Sequence, residues 1–419
     1  MDNPLPLIGH AHLFDLANPH KTLLRLAERH GPVVRLSFGL LRPPLTLVSD
    51  PAAVTSILED HERFVKGPGY AAIASVTPCH MLVAEGCRWR AYRTEIGKIF
   101  NRSVVDRFVP AIRRHAAGLC AHALAKKTPS DIQDLVTAAS ADVIFEMVTG
   151  TELGAARDLK AGRANALFAA LLRITAAWQP GAIVFPGNST SRYADLRLVL
   201  SRCRKEAASR PEGLLAEFVR TCPKEMIDAF VTSVLIQGFR NTSAHACWML
   251  AVLGENRYLQ DDLREELSRA DLSSLEGVDK ASLLDRVSAE TLRLYPSVPA
   301  LSRISHDDFA VAGHVIPAGS EIVISPYVQH RLSRFWNHPE HFAPSRFSTP
   351  ASEGTYFPHG GGRRVCAARS LGIAEAKLIV AEFVSRSIWA PLPGSDNLRQ
   401  CVSVALRPAK LGLKFSARA

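Results

Sequence analysis

The chain has 419 residues, 47% hydrophobic and 21% charged, with a formal charge of +10. That length supports one large core or two fused lobes, and a mean hydropathy of +0.04 is that of a globular chain. The basic residues are spread along the sequence, without aromatic-interleaved patches, and aromatics are only 7%; this argues against nucleic acid and favours a basic soluble surface, with docking of an acidic protein partner as the second possibility.

The opening "MDNPLPLIGH" has no basic start and no apolar run, so it does not read as a secretory leader. "HKTLLRLAERHG" predicts a helix that stops at Gly31, and "PVVRLSFG" with "PLTLVSD" predicts two strands around a short turn. Helical periodicity then dominates over 51–61, 88–101, 103–125, 130–149, 163–175 and 191–208, with a Pro/Gly loop at 180–188. A long helix over 224–253 follows, then helices over 258–270 and 280–295. After Pro296 the character changes: "FAVAGHVIPAGSEIVIS" (309–325) alternates like a hairpin, and 326–365 is rich in Pro, His and Arg with little periodicity. A loop that long inside a compact domain is generally functional. A helix over 367–387 and short strands complete the chain. Arg240, Asn241 and His245 interrupt the best apolar run, 231–253, so no membrane span is expected. The expected architecture is mainly α with a minor β portion near the two ends, as one domain over 1–419.

Eight cysteines occur without a Cys-x-x-Cys pair or zinc-finger histidine spacing. In a chain this long without a leader they are expected as reduced thiols in the cytoplasm, mostly small buried apolar residues. Cys366 needs a separate account. In "YFPHGGGRRVCAARSLGIAEAKLIVAEFV" (356–384), Gly360, Gly361 and Gly362 precede Arg363, Arg364 and Cys366. Leu371, Ala374, Leu378, Ala381 and Val384 then keep a helical stripe. A cysteine at the mouth of a helix, beside two arginines, is favoured as thiolate, and glycines let backbone approach a flat ligand. Such a thiolate suits a nucleophile, a redox thiol or a soft metal ligand, and the alternative is a buried capping cysteine. No base or resolving thiol is identifiable for the first two roles.

"HGGGRRVC" resembles the cysteine loop of the cytochrome P450 haem-thiolate enzymes. Gly362, Arg364 and Cys366 keep that pattern; His359 stands where the family has Phe, Ala368 where it often has Gly, and Phe357 comes two residues early. Four further features occur in the family's order. "ETLR" matches its Glu-x-x-Arg helix through Glu290 and Arg293, and "PSRF" supplies Arg346 to that network. "WRAYR" matches a Trp-x-x-x-Arg helix through Trp89 and Arg93, and Arg303 follows the Glu-x-x-Arg helix. The resemblance spans nearly the whole chain and implies a P450-like fold, of the soluble bacterial type, with haem between a long central helix and the cysteine-loop helix. It implies haem b ligated by Cys366, with Trp89, Arg93, Arg303 and Arg364 toward the propionates and Gly362 and His359 beside the cofactor. It further implies O2 activation with electrons from a separate ferredoxin-type donor and its reductase, and oxidation of a small hydrophobic or aromatic metabolite, as in secondary metabolism.

The same resemblance aligns "GFRNTSA" (238–244) with the family's oxygen-side helix, usually Ala/Gly-Gly-x-Asp/Glu-Thr. Thr242 keeps the alcohol; Asn241 replaces the acid and cannot shuttle a proton as a carboxylate does; Phe239 replaces a Gly. Arg240 either points away from haem or faces the pocket to bind an anionic substrate group or organise peroxide. Gly238, Phe239, Val298 and Leu301 are expected at the substrate pocket, together with 68–82, 168–185 and residues near Val402. The departures keep open a haem-thiolate enzyme of non-standard chemistry (peroxide-driven oxygenation, coupling or rearrangement) and, third, a non-catalytic haem protein.

Overall fold

The computed structural model describes residues 4–76, 80–125, 130–176, 189–210, 213–403 and 405–418. The chain divides into two compact units, Met1–Ala71 with Ala289–Cys366, and Ala72–Ser288 with Ala367–Ala419.

The first unit is built on a five-stranded mixed sheet. Its order is Val33–Leu36, Leu45–Val48, Glu321–Ile324, Leu301–Ser305, Phe64–Lys66. Val33–Leu36 pairs antiparallel with Leu45–Val48, register Val33 to Val48, and Leu45–Val48 pairs parallel with Glu321–Ile324. The outer strand alternates, with Val34 and Leu36 buried and Arg35 exposed, whereas Leu45–Val48 is buried at all positions because both faces are covered. One face carries the helix Pro19–His30, which buries Leu23, Leu26 and Ala27 and ends at Gly31 as its sequence predicts. A second apolar cluster joins the helix Pro51–Glu59, through Val54, Ile57 and Leu58, to Phe64, Ile322, Ile324 and Phe357. Asp50 caps that helix by accepting from Ala53 N at 2.9 Å. The segment 309–325 is a hairpin only in its first part: Phe309–Val311 pairs with His314–Ile316 around Ala312 and Gly313, both at positive φ, while Glu321–Ile324 joins the large sheet.

The second unit is helical around Lys224–Gly254, a helix of 31 residues and so about 46 Å long. It packs against Gln133–Thr149 and Arg369–Arg386, and the latter also lies on Val109–Ala125. Trp248, Met249, Leu250 and Leu253 are fully buried along the long helix. Trp248 Nε1 donates to Leu406 O at 3.0 Å and Trp389 Nε1 to Leu250 O at 2.9 Å, which ties the helix to the terminal strands. Those strands form Ser387–Pro391, Gly412–Ala417, Ser130–Asp131 and the pair Gln400–Val402 with Leu406–Pro408.

The helix expected over 103–125 is broken into Arg102–Arg107 and Val109–Ala125. Pro110 offers no N–H to the carbonyl four residues back, so it sits in the first turn of a new helix. The helix expected over 163–175 runs over Ala166–Ala176, and an additional short helix, Ala155–Lys160, precedes it across Gly162 at φ +68°. Residues 130–149 begin as a strand before Gln133 opens the helix. The short helices Leu214–Thr221 and Leu275–Lys280 carry too few residues for periodicity to betray them. The loop expected at 180–188 lies outside the described residues. Among the described residues, no helix is long and apolar enough to cross a membrane.

Candidate functional site

In the first unit the loop before Cys366 folds back on itself. Gly360 N donates to Phe357 O at 3.0 Å, Val365 N to Gly362 O at 3.2 Å, and Cys366 N to His359 O at 3.0 Å. Gly360 and Gly362 hold φ +70° and +57°, which only glycine adopts without strain. A Cβ at Gly362 would lie 2.2 Å from Leu58 O, and one at Gly361 3.0 Å from Leu58 Cδ1. The loop therefore lies backbone-to-backbone on the end of the helix Pro51–Glu59. Arg364 helps hold it there by donating to His61 O at 2.8 Å. Cys366 and Cys87 are exposed, whereas Cys120, Cys203 and Cys247 are buried, and none of the seven described cysteines is in a disulfide. Phe357 is buried, and its N–H donates to His330 Nε2 at 2.9 Å.

Glu290 and Arg293 are 0% exposed and form a two-point pair, Nε to Oε2 at 2.7 Å and NH2 to Oε1 at 2.8 Å. Arg293 NH1 also donates to His330 O and Pro339 O, and NH2 to His341 O. Glu290 Oε1 accepts from Ala343 N at 2.9 Å and lies 3.3 Å from Arg346 Nε. Every ionised group here is thus matched, which a buried pair requires. The result is a clamp that fixes the segment 330–346. His330, buried among Arg293 and Arg331, has a pKa held well below its ordinary value, first by desolvation and then by those charges. Arg303 is buried on the strand Leu301–Ser305 and donates to Tyr70 Oη at 3.1 Å. Val298 and Leu301 are half-buried, and Leu301 packs on the cluster containing Leu58 and Phe357.

In the second unit, Trp89 and Arg93 lie one turn apart on the helix Gly86–Ile99, Trp89 buried and Arg93 half-buried. On the long helix, Gly238 sits against Ile144, whose Cδ1 would be 3.0 Å from a Cβ there. Phe239 is fully buried, its ring 6.4 Å from that of Phe168 and tilted to it. Thr242 Oγ1 donates to Gly238 O at 2.9 Å, and a Cβ on Gly372 of the cysteine helix, Arg369–Arg386, would come within 3.2 Å of that hydroxyl. Asn241 is half-buried. Arg240 Nε donates to Thr175 Oγ1 at 3.2 Å, and its guanidinium lies 5.9 Å from the Phe239 ring centroid. At 100° per residue it leaves the helix about 160° around from Thr242.

The structure also places groups that spacing alone does not mark. His80, fully buried, is hydrogen-bonded to Gln237 Nε2 at 2.8 Å. Glu375, nine residues past Cys366 on Arg369–Arg386, is 0% exposed. Ser140 Oγ lies beside its carboxyl without the geometry of a full hydrogen bond, and neither group has another partner among the described residues. Burial pushes its pKa up to about 8, and the Ser140 hydroxyl opposes that only in part. Only the position of Glu375 on the inward stripe of its helix could have flagged it. Of the expected pocket segments, 77–79 and 177–185 lie outside the described residues.

A family model described as Cytochrome P450 matches residues 1–415. Among curated proteins, the chain is 27% identical over 448 residues to "Cytochrome P450 4V2" of Rattus norvegicus, covering 92% of this chain and 82% of that protein. It is 26% identical to "Indoleacetaldoxime dehydratase" of Arabidopsis thaliana, covering 94% and 87%, and 23% identical to "Probable cytochrome P450 4aa1" of Drosophila melanogaster, covering 96% and 86%.

Proposed function

This chain belongs to the cytochrome P450 family and is a haem-thiolate monooxygenase in general terms, and on that premise we propose that it oxidises a small hydrophobic or aromatic metabolite, in secondary metabolism, with electrons from a ferredoxin-type protein and its reductase. A haem of the b type would be held by Cys366, with Gly362 and His359 beside it and Trp89, Arg93, Arg303 and Arg364 directed to its propionates. The residues fit such a group. The exposed Cys366 is a soft donor suited to iron, and the glycine loop has no side chains to block a flat macrocycle. The arginines match carboxylates in charge and geometry. When bound, haem supplies one-electron and O2 chemistry, with thiolate donation favouring O–O cleavage.

The chain's own residues then handle position and protons. The glycine loop and the clamp of Glu290, Arg293 and Arg346 fix the segments around the thiol. Thr242, donating to Gly238 O, keeps its lone pairs for accepting a proton donor. Asn241 holds a hydrogen-bonding group in place but releases no proton near neutral pH, so a proton passing position 241 moves on water. Apolar positions, Phe239, Val298 and Leu301, suit a hydrophobic ligand. A cytoplasmic setting, which suits the described cysteines outside disulfides, completes the reading.

The observation that carries this proposal is the exposed thiol of Cys366 presented by a loop in which Gly362 tolerates no side chain. The test is the spectrum of the reduced carbonyl complex: a thiolate-haem Soret band is expected, and it must vanish in Cys366→Ser. Titration with a metabolite set, followed by displacement of water from the haem iron, then identifies the substrate class. A second reading, non-standard chemistry, is favoured by Asn241 and by a relative whose name is that of a dehydratase. Turnover with peroxide alone exceeding turnover with O2, ferredoxin and reductase would establish it over the first.

A further inference from the structure

The long helix and the strand Leu406–Pro408 turn two arginines, Arg240 and Arg407, into one recess. Gln133, Thr137, Ser243 and Cys247 also line it, and it opens in part to solvent. Arg240 spends its Nε on Thr175 Oγ1 at 3.2 Å; Arg407 NH1 donates to Gln133 Oε1 at 3.1 Å and Pro408 O at 3.3 Å. Among the described residues, neither guanidinium has a carboxylate within the 4.0 Å of an ion pair. Asp134 acts on Arg240 only at longer range, and burial and the Arg407 charge both weaken Arg240's hold on its proton. Two like charges facing one recess are unfavourable unless an anion lies between them.

Gln133 supplies a second, independent sign. It is 6% exposed, and its Oε1 end is fixed by accepting from Arg407. The Nε2 end is therefore the donor, and it is buried with no hydrogen-bond partner among the described residues. A buried amide N–H without an acceptor is costly, and a ligand oxygen would satisfy it. Arg240, Ser243 and Cys247 share one stripe of the helix, whose centre is about 130° around from Thr242. The recess therefore belongs to the back of that helix, and its reading does not rest on haem.

We propose that this recess is a carboxylate-binding site, in which Arg240 and Arg407 flank the anion and Gln133 Nε2 donates a third hydrogen bond. The donors are planar and forked, which suits the two oxygens of a carboxylate. The recess is narrow, and Asp134 offsets part of its double positive charge, which suits a monoanion over a phosphate. The carboxylate can be a free small acid or the acid end of a larger metabolite.

The test is calorimetric titration of the full chain with acetate, with chloride at matched ionic strength as control, and the same titrations with benzoate. Saturable acetate binding is expected in the wild type, weakened roughly tenfold or more in Arg407→Gln and in Gln133→Leu. Gln133→Leu leaves both charges in place, so it reports on the amide even if Arg407→Gln folds poorly. Benzoate that binds more tightly and is displaced by acetate points to the acid end of a larger molecule. Acetate that binds while benzoate does not points to a free small acid. Equal responses to acetate and chloride, no binding of either acid, or wild-type acetate affinity in both variants would overturn the proposal.

Discussion

At the scale of single residues, the long helix departs at Asn241 from the pattern that the family resemblance implies. Asn241 presents an amide where a proton-donating carboxyl would serve, while Thr242 and its helix geometry are intact. On the proposed function, Asn241→Asp restores a titratable group and should raise turnover with O2 and the redox partner by about tenfold or more, the lower range of general acid–base effects. The solvent isotope effect on turnover should fall at the same time. An unchanged rate would mean that protons reach the site by another route. The buried pair of Glu290 and Arg293 gives a second residue-scale expectation. Arg293→Ala takes the two-point partner from a carboxylate at 0% exposure, leaving it Arg346 and Ala343 N, and takes the donor from three carbonyls. A loss of about 3–5 kcal/mol is expected, read as a fall in the denaturation midpoint. Glu290→Gln should cost less, because the amide oxygen still accepts from Arg293.

At the scale of elements, the cysteine loop separates two adjacent glycines. Gly362→Ala forces a side chain into a left-handed backbone and into Leu58 O, which is main chain and cannot move aside. Gly361→Ala meets only side-chain atoms of Leu58, Cδ1 at 3.0 Å and Cβ at 3.3 Å, in an extended backbone. The expectation is that Gly362→Ala destroys haem retention, measured as Soret absorbance per protein, while Gly361→Ala keeps most of it. The sequence already marks this loop, because glycines before a cysteine and a helical stripe after it are local signals. The long helix and the strands Val33–Leu36 and Leu45–Val48 are legible for the same reason: their periodicity is their packing. What escapes a sequence reading is long-range. Gln133 and Arg407 are 274 positions apart yet hydrogen-bonded, and no local pattern joins them. The break at Phe108 is local, and Pro110, in the first turn of the second helix, marks it.

At the scale of the molecule, the formal charge of +10 and the exposed arginines 363 and 369 bear on association. On the proposed function, Arg363→Glu with Arg369→Glu should slow reduction by a ferredoxin several-fold and flatten its dependence on salt, because steering charges act through rates; unchanged stopped-flow rates would place docking elsewhere. Stability against pH follows from two buried groups of opposite sign. His330 is neutral in the fold with a depressed pKa, so it favours folding above its unfolded pKa near 6.5 and loses that contribution as pH falls below it. Glu375 works the other way. Its folded pKa of about 8 lies above the carboxyl reference of 4.5, so the fold holds a proton that the unfolded chain has released. Its contribution is complete below pH 4.5 and is lost progressively as pH rises to about 8. With each pH unit in that window worth about 1.4 kcal/mol, the loss between pH 5 and pH 8 is on the order of 3 kcal/mol. Glu375→Gln keeps the shape and removes the titration. The wild-type chain should therefore lose that stability relative to the variant between pH 5 and pH 8, in urea denaturation of the two proteins side by side. Parallel pH profiles would show that Glu375 is ionised and solvated in the native protein.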